Sequence, residues 1–339
     1  MKTNKLPLEV FEAACKFNLL NNSIDYNSQK ITDGVSSDIW YVKTIQNIEF
    51  CIKRALAKLT VKEDWYAPIS RSKFEAMYFQ NCFEIAPNNF PKLLGYDNRN
   101  HILAMEWYSP DSYLVWKKKL LNKKVEEEDI KNVSKLLVKK HKKFYNSKNL
   151  EKQFDNDVTF HSIRIEPYIL FTSKKYSDFK KKFDGVAESL VKNKKTLIHG
   201  DFSPKNILIK DNTPLILDAE TACWGDPVFD LAFCNNHLLL KSLLPNGLGK
   251  KLLDLSFKFV KNYIDNISWE DKNFFTKRLL DITPLLLLAR VDGKSPIEYF
   301  KVKQQELTRQ LGKHILIDEV KTLEQLYLIL DNYVVKKNY

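Results

Sequence analysis

Two short apolar runs constrain this chain most. Ile207-Leu208-Ile209 and Leu215-Ile216-Leu217 flank the polar stretch from Lys210 to Pro214, centred on Asp211-Asn212. Apolar strands on either side of an Asp/Asn turn read as a tight β-hairpin. Pairing about Asn212 sets Ile207 opposite Leu217 and Asn206 opposite Asp218. Directly opposed residues lie roughly 4.5–5.5 Å apart at Cα, so an amide and a carboxylate would leave the open end of the hairpin together. Asp201 lies five residues before Asn206, on the loop that enters the same end.

Two oxygen ligands beside a third carboxylate suit a hard cation such as Mg²⁺, which keeps several waters and takes phosphate oxygens as further ligands. The pattern therefore predicts a nucleoside triphosphate and phosphoryl transfer. That chemistry also needs a group to orient the attacking hydroxyl, a lysine on the phosphates and a carboxylate to hold the lysine.

The rest of the chain supplies a setting for such a site. Its 339 residues, 44% hydrophobic and 28% charged, make a globular chain of about two domains or one two-lobed unit. The first hundred residues read as short strands with one helix. Ile39 to Val42 and Phe50 to Ile52 are β-rich and are joined across Lys43 to Glu49. Phe74, Met77, Tyr78 and Phe83 keep a helical period over Arg71 to Phe83, and Ile102 to Trp107 is a further strand. Beyond about residue 110, helical stripes dominate. One runs through Ile130, Val133, Leu137, His141 and Phe144, and another through Leu252, Leu255, Phe259 and Tyr263. A third runs through Val320, Leu323, Tyr327, Leu330 and Val334.

Other chemistries fail on spacing. The chain has no G-x-x-x-x-G-K-[ST], G-x-S-x-G or H-E-x-x-H, and its one G-x-G, Gly247-Leu248-Gly249, has Leu252 where a dinucleotide loop needs glycine. Five cysteines without a C-x-x-C pair predict reduced thiols and a cytoplasmic protein. No apolar leader follows Met1 to Lys5, and Pro284 to Ala289 is too short to span a bilayer, so no membrane association is expected. The balance of 54 basic against 42 acidic residues, a net charge of +12, invites a nucleic-acid reading. The lysines are scattered in small groups without interleaved aromatics, however, so a solvated basic face is expected and nucleic acid is not.

His199-Gly200-Asp201-x-x-x-x-Asn206, followed by Asp218-Ala219-Glu220 and by Trp224-Gly225-Asp226-Pro227-Val228-Phe229-Asp230-Leu231-Ala232, resembles the catalytic segment of the aminoglycoside phosphotransferase superfamily. This is the small-molecule branch of the protein-kinase-like fold, and it includes choline kinases. The resemblance implies an α+β, two-lobed fold. A small antiparallel sheet lobe with one key helix would span residues 1–106 and bind nucleotide. A larger, mainly helical lobe over 107–339 would carry catalysis and the acceptor.

The resemblance also implies roles. Asp201 would orient or deprotonate the acceptor hydroxyl, and Asn206 and Asp218 would hold Mg²⁺. His199 and Asp230 would support the catalytic loop, although an N-cap reads as well for Asp230. Lys53 would contact the phosphates with Glu75 as its partner. Gly34, Ser36 and Ser37 would cover them, and Met105-Glu106-Trp107 would form the hinge beside the base. The implied cofactors are ATP, with GTP as the alternative donor, and Mg²⁺. The implied partner is a small hydroxyl-bearing substrate. Glu220, Arg164, Arg290 and Asp292 are candidates for the acceptor pocket, and Arg164, Arg290 and Asp292 read equally well as solvent-facing loop ends. A non-catalytic nucleotide-binding pseudokinase is the alternative function. The sequence does not set the oligomeric state.

Overall fold

The computed structural model describes residues 5–31, 36–58 and 66–336. The chain opens with helix α1 (Leu8–Lys16), followed by strands β1 (Tyr26–Ile31), β2 (Ser37–Thr44) and β3 (Glu49–Ala55). Helix α2 (Arg71–Ile85) precedes β4 (Leu93–Asp97) and β5 (Ile102–Glu106). The five strands form one antiparallel sheet in the order β1-β2-β3-β5-β4.

Strand alternation decides what each face of this sheet meets. Phe50 and Ile52 of β3 join Trp40, Val42, Ile102 and Ala104 against Val10, Ala13 and Ala14 of α1. Cys51 belongs to the other face, with Leu103, Met105 and the α2 residues Tyr78, Phe79 and Cys82. Lys53 shares the parity of Cys51, so the pleat alone turns it toward α2.

The remainder is mainly helical. β6 (Leu114–Val115) leads into α3 (Trp116–Leu121), α4 (Glu127–Phe144) and α5 (Lys148–Gln153). A continuous helical stretch follows, made of α6 (Asp157–Phe160), a π-helix over His161–Leu170 and α7 (Phe171–Ser173), before α8 (Lys180–Lys192). Strands β7 (Thr196–Ile198), β8 (Ile207–Lys210), β9 (Thr213–Ile216) and β10 (Cys223–Gly225) then interrupt the helices. Helices α9 (Val228–Ser242), α10 (Gly249–Asp265), α11 (Lys272–Asp292), α12 (Val302–Asp318) and α13 (Leu323–Lys336) complete the chain. Every residue of α9 is buried, which makes it the axis of this lobe. Among the described residues no helix is long and apolar enough to cross a membrane.

Local signals explain several boundaries. Three acidic residues open α4 and His141, Lys142 and Lys143 close it, each set complementing the helix dipole. Asp271 caps α11 by accepting from the Phe274 amide at 2.7 Å. The apolar stripe that begins at Val320 becomes helical only at Leu323. There Thr322 Oγ1 accepts from the Gln325 amide at 3.2 Å while Gln325 Oε1 accepts from the Lys321 and Thr322 amides, a reciprocal capping box. Surface lysines pair along their own helices, as in Lys180–Asp184, Lys261–Asp265 and Lys277–Asp281, which is the pattern of a solvated face.

The β8–β9 hairpin forms with a register one residue away from the sequence expectation. Ile207 pairs with Ile216, Leu208 with Leu215 and Lys210 with Thr213. The loop is two residues long, because Asp211 (φ 47°) and Asn212 (φ 58°) both occupy the left-handed region. Asp and Asn tolerate that region, and a two-residue loop with both centres there follows the strand twist better than a longer turn about Asn212. Asn206 therefore meets Leu217, whose amide donates to its carbonyl at 2.8 Å, rather than Asp218. Asp218 itself turns at φ 62°, and its carboxylate meets Lys53 Nζ at 2.5 Å.

Asn212→Val should destabilise the protein by about 1–2 kcal/mol, because a β-branched residue resists the left-handed conformation. Asn212→Gly should cost far less. Urea denaturation of the two variants checks this.

Candidate active site

The loop from β7 to β8 carries the candidate residues Asp201 and Asn206, and buried groups hold it from beneath. The Asp230 carboxylate accepts from the His199 amide at 2.8 Å and from the Gly200 amide at 2.9 Å. Its Oδ2 also meets Lys140 Nζ at 3.0 Å and His141 Nε2 at 3.2 Å. Burial alone would raise the pKa of this carboxyl, but Lys140 and His141 override it and hold it far below the usual range. Asp230 is the third residue of α9, so it braces the loop from inside the helix and is not the N-cap.

The loop has one admissible residue at position 200. Gly200 adopts φ +72°, and a Cβ there would lie 2.5 Å from the Thr221 carbonyl oxygen. His199 fixes the next turn through both ring nitrogens. Nδ1 accepts from the Asp201 amide at 3.1 Å, which leaves the Nε2 proton to donate to the Leu217 carbonyl at 3.0 Å. Burial lowers the pKa of His199, in keeping with this neutral tautomer.

Asp201 is then held from three sides. Asn206 Nδ2 donates to its Oδ2 at 2.9 Å and to its carbonyl at 3.1 Å. Arg164 approaches Oδ2 at 3.0 Å and Lys205 at 2.9 Å. Burial pushes the carboxyl upward, and Arg164 and Lys205 outweigh it, so Asp201 is an anion with its pKa below the ordinary value. Arg164 comes from the π-helix, and its Nε also binds the Gly200 carbonyl at 2.5 Å. It is thus a brace on the catalytic loop rather than a solvent-facing loop end.

The sheet lobe meets this loop through Lys53. Its Nζ lies 3.0 Å from Glu75 Oε1 and 2.5 Å from Asp218 Oδ1. Burial works against the ammonium, but Asp218 and Glu75 keep it charged and raise its pKa. Asp218 is held well below the usual carboxylate range, burial being overcome by Lys53 and Lys205. Burial raises Glu75, the more deeply enclosed partner.

Asn206 has turned its NH₂ to Asp201, which leaves its Oδ1 uncommitted to that carboxylate, and Asp218 is close enough to act on the same Asp201 carboxyl. Asp218 in turn keeps a second oxygen beyond the one on Lys53, and its side chain is 30% exposed. One amide oxygen and one carboxylate are hard donors that fit Mg²⁺ with water and phosphate completing the shell.

The other sequence candidates separate. Gly34 lies outside the described residues. Ser36 gives its carbonyl to Arg71 at 2.5 Å, and the Ser37 hydroxyl is buried without a partner. Met105 is buried against α2, and the Glu106 amide is committed to the Lys92 carbonyl at 3.1 Å. Trp107 packs on Tyr41 with centroids 4.6 Å apart. Glu220 faces the sheet lobe and binds Arg71 Nε at 2.8 Å. Asp292 is taken by Arg309 at 2.9 Å and Tyr176 at 2.6 Å. Glu220 and Asp292 therefore do not share a pocket. Arg290 is buried and binds Tyr168 and Ser295.

Sequence reasoning missed Arg71, Lys140 and Lys205. Lys205 sits inside the quoted motif, so its position one residue before Asn206 was the available signal. Arg71 and Lys140 looked like helix-surface charges, and only the packing buries them.

Comparison with known proteins agrees with the resemblance of residues 197–232. The family described as "Phosphotransferase enzyme family" (APH) matches residues 171–242. No curated protein matches the sequence. An ethanolamine kinase from Plasmodium vivax superposes with a TM-score of 0.56 at 15% identity, covering 90% of this chain and 88% of that one. A choline/ethanolamine kinase family protein from Mesorhizobium loti gives 0.54 at 12% identity, covering 95% and 98%. An amicoumacin kinase in complex with AMP-PNP, Ca²⁺ and Ami gives 0.52 at 10% identity, covering 88% and 91%. The fold is that of protein-kinase-like small-molecule kinases, with an antiparallel sheet lobe and a helical lobe.

Asp230→Ala should cost about 3–5 kcal/mol, because it strands the Lys140 ammonium in the interior. Because the folded pKa of Asp230 is depressed, its contribution is fully present above the ordinary carboxylate range and is lost as pH falls through the folded value. The stability gap between wild type and variant should therefore hold from neutral pH to about pH 5 and narrow below about pH 4, as read by urea denaturation across pH.

Proposed function

We propose that this chain is an ATP- and Mg²⁺-dependent phosphotransferase that moves the γ-phosphate to a hydroxyl of a small molecule. The observation that carries this reading is the run Glu75–Lys53–Asp218, closed at 3.0 and 2.5 Å beside an Asp201 that Asn206 holds at 2.9 Å. Phosphoryl transfer calls for a lysine on the phosphates, a carboxylate to hold it, hard metal donors and a group for the acceptor hydroxyl, and these residue types support the reading. The matched phosphotransferase family and the kinase neighbours support it.

In this reading residues 1–106 bind nucleotide and residues 107–339 carry catalysis and the acceptor. Lys53 contacts the α- and β-phosphates. Ser36 and Ser37 border them together with Gly34, and Met105 to Trp107 line the base. Asn206 and Asp218 hold Mg²⁺, which supplies charge neutralisation for the phosphate oxygens. Asp201, being ionised, accepts a hydrogen bond from the acceptor hydroxyl and orients its oxygen for in-line attack. A bond forms from that oxygen to phosphorus, the bond to the leaving diphosphate breaks, and the hydroxyl proton passes toward Asp201. Arg164 and Lys205 keep Asp201 charged and in place. The five free cysteines, four of them buried, suit a reducing compartment such as the cytoplasm.

Two measurements test the assignment. The denaturation midpoint should rise with ATP plus Mg²⁺, by mass action on the folded state, and GTP in the same assay ranks the donors. Absence of any nucleotide shift removes both the kinase and the pseudokinase readings. Asp201→Asn should lower kcat by about 10²–10⁴-fold while the nucleotide shift persists. A wild-type chain that binds ATP and Mg²⁺ yet turns over no acceptor would favour the pseudokinase.

A further inference from the structure

Next to the β7–β8 loop, the helical lobe gathers basic side chains that have no buried counter-charge. Lys117 is the second residue of α3, and its amide donates to the Pro204 carbonyl at 2.8 Å, which sets it against the loop. His237 and Lys241 lie one turn apart on α9, and Arg290 approaches from the end of α11. Relative exposures are 1% for Lys241, 8% for His237 and 9% for Arg290.

The hydrogen-bond partners of Lys241 and Arg290 are neutral. Lys241 Nζ donates to the His237 carbonyl at 3.2 Å and to the Tyr299 hydroxyl at 3.3 Å. Arg290 Nη1 donates to Tyr168 Oη at 3.1 Å and to the Ser295 carbonyl and hydroxyl. Arg290 Nε is buried and makes no hydrogen bond. Lys117, Arg290, Cys234 and Glu298 act most strongly on Lys241, and Lys241, Arg290, Lys205 and Lys117 on His237. The one carboxylate in this set, Glu298, is paired with Lys117, and its side chain is 64% exposed.

The cluster is wired to the reacting centre. Arg290 binds Tyr168, and the Arg164 guanidinium lies 5.7 Å from the Tyr168 ring centroid while it holds Asp201. Lys205, the second cation on Asp201, is also within range of His237.

Buried cations without a carboxylate work against folding. Burial and then Lys117 and Arg290 push Lys241 down to about 7, and burial lowers His237 well below its ordinary value. A ligand that brings negative charge would relieve all of them at once, whereas an ammonium-bearing acceptor would add to the repulsion.

We propose that this cluster is the acceptor subsite and that the acceptor is a hydroxylated oxyanion, a small molecule carrying a carboxylate or phosphate group besides the hydroxyl that is phosphorylated. This rests on the kinase reading above. Arg290 supplies a free donor, Lys241 a proton-bearing ammonium once the anion is seated, and Lys117 the rim. Charge sign then sets this chain apart from kinases whose acceptors are choline or ethanolamine.

The test uses the full chain saturated with a non-hydrolysable ATP analogue and Mg²⁺, at constant ionic strength. Gluconate and glycerol 3-phosphate should raise the denaturation midpoint further, while choline and kanamycin should not. Comparing the two anions separates a carboxylate site from a phosphate site. Lys241→Gln and Arg290→Gln should weaken the anion effect by about tenfold or more in half-saturating concentration while each keeps the nucleotide shift. With ATP itself, ADP release should be faster with anionic acceptors. Stabilisation or turnover by the cations alone, no response to either anion, or an anion response unchanged in both variants would each overturn the proposal and leave the kinase reading standing. Loss of the nucleotide shift in the wild-type chain would instead bring down the kinase reading and this inference with it.

Discussion

A single buried carboxylate organises the loop between β7 and β8. Asp230 accepts two consecutive backbone amides, those of His199 and Gly200, and balances Lys140 in a region with no solvent. Because both amides belong to the entry of the loop, the direction of Asp201 is fixed before any ligand arrives. The remaining supports act downstream of that grip. His199 bridges the Asp201 amide to the Leu217 carbonyl, and Asn206 ties the end of the loop back to Asp201. Preorganised geometry of this kind is what phosphoryl transfer asks of a protein, since little covalent work falls to its side chains.

The charges of the site form an alternating series in which each member depends on the next. Glu75, Lys53 and Asp218 run across the junction of the two lobes, and Arg164 and Lys205 compensate Asp201. Such groups stay ionised in a buried setting only because their partners do. The cluster around Lys241 and Arg290 departs from that rule, with cations gathered and no buried anion among them. The contrast lies within one lobe and next to one loop, which makes it a property of the site and not of the overall basic composition.

Much of this was legible in the chain itself. The spacing from Asp201 to Asn206 and the apolar runs around Asp211-Asn212 indicated the hairpin, and the strand parity of Cys51 and Lys53 follows from the pleat. The hairpin register was not legible. It turned on whether Asp211 as well as Asn212 would enter the left-handed region, a choice that strand composition does not encode. The strands Tyr26–Ile31 and Leu93–Asp97 have no signature in the sequence because they lack apolar alternation, and they form the two edges of the sheet. Arg71, Lys140 and Lys241 were invisible for a different reason. A lysine or arginine on a helix is ordinarily solvated, and only packing from distant parts of the chain shows which ones are enclosed. The π-helical turn that delivers Arg164 to Asp201 likewise has no signature in residue period.

Arg71 has a consequence for how the cleft moves. Its guanidinium is held by Glu220 of the helical lobe and by the carbonyls of Ser36, Leu56, Ala67 and Pro68 of the sheet lobe. Parting the lobes along that edge would strip a desolvated cation of its acceptors, so the edge acts as a fixed spine. An opening of the lobes that kept these bonds would pivot on Arg71 and be widest at the margin farthest from it.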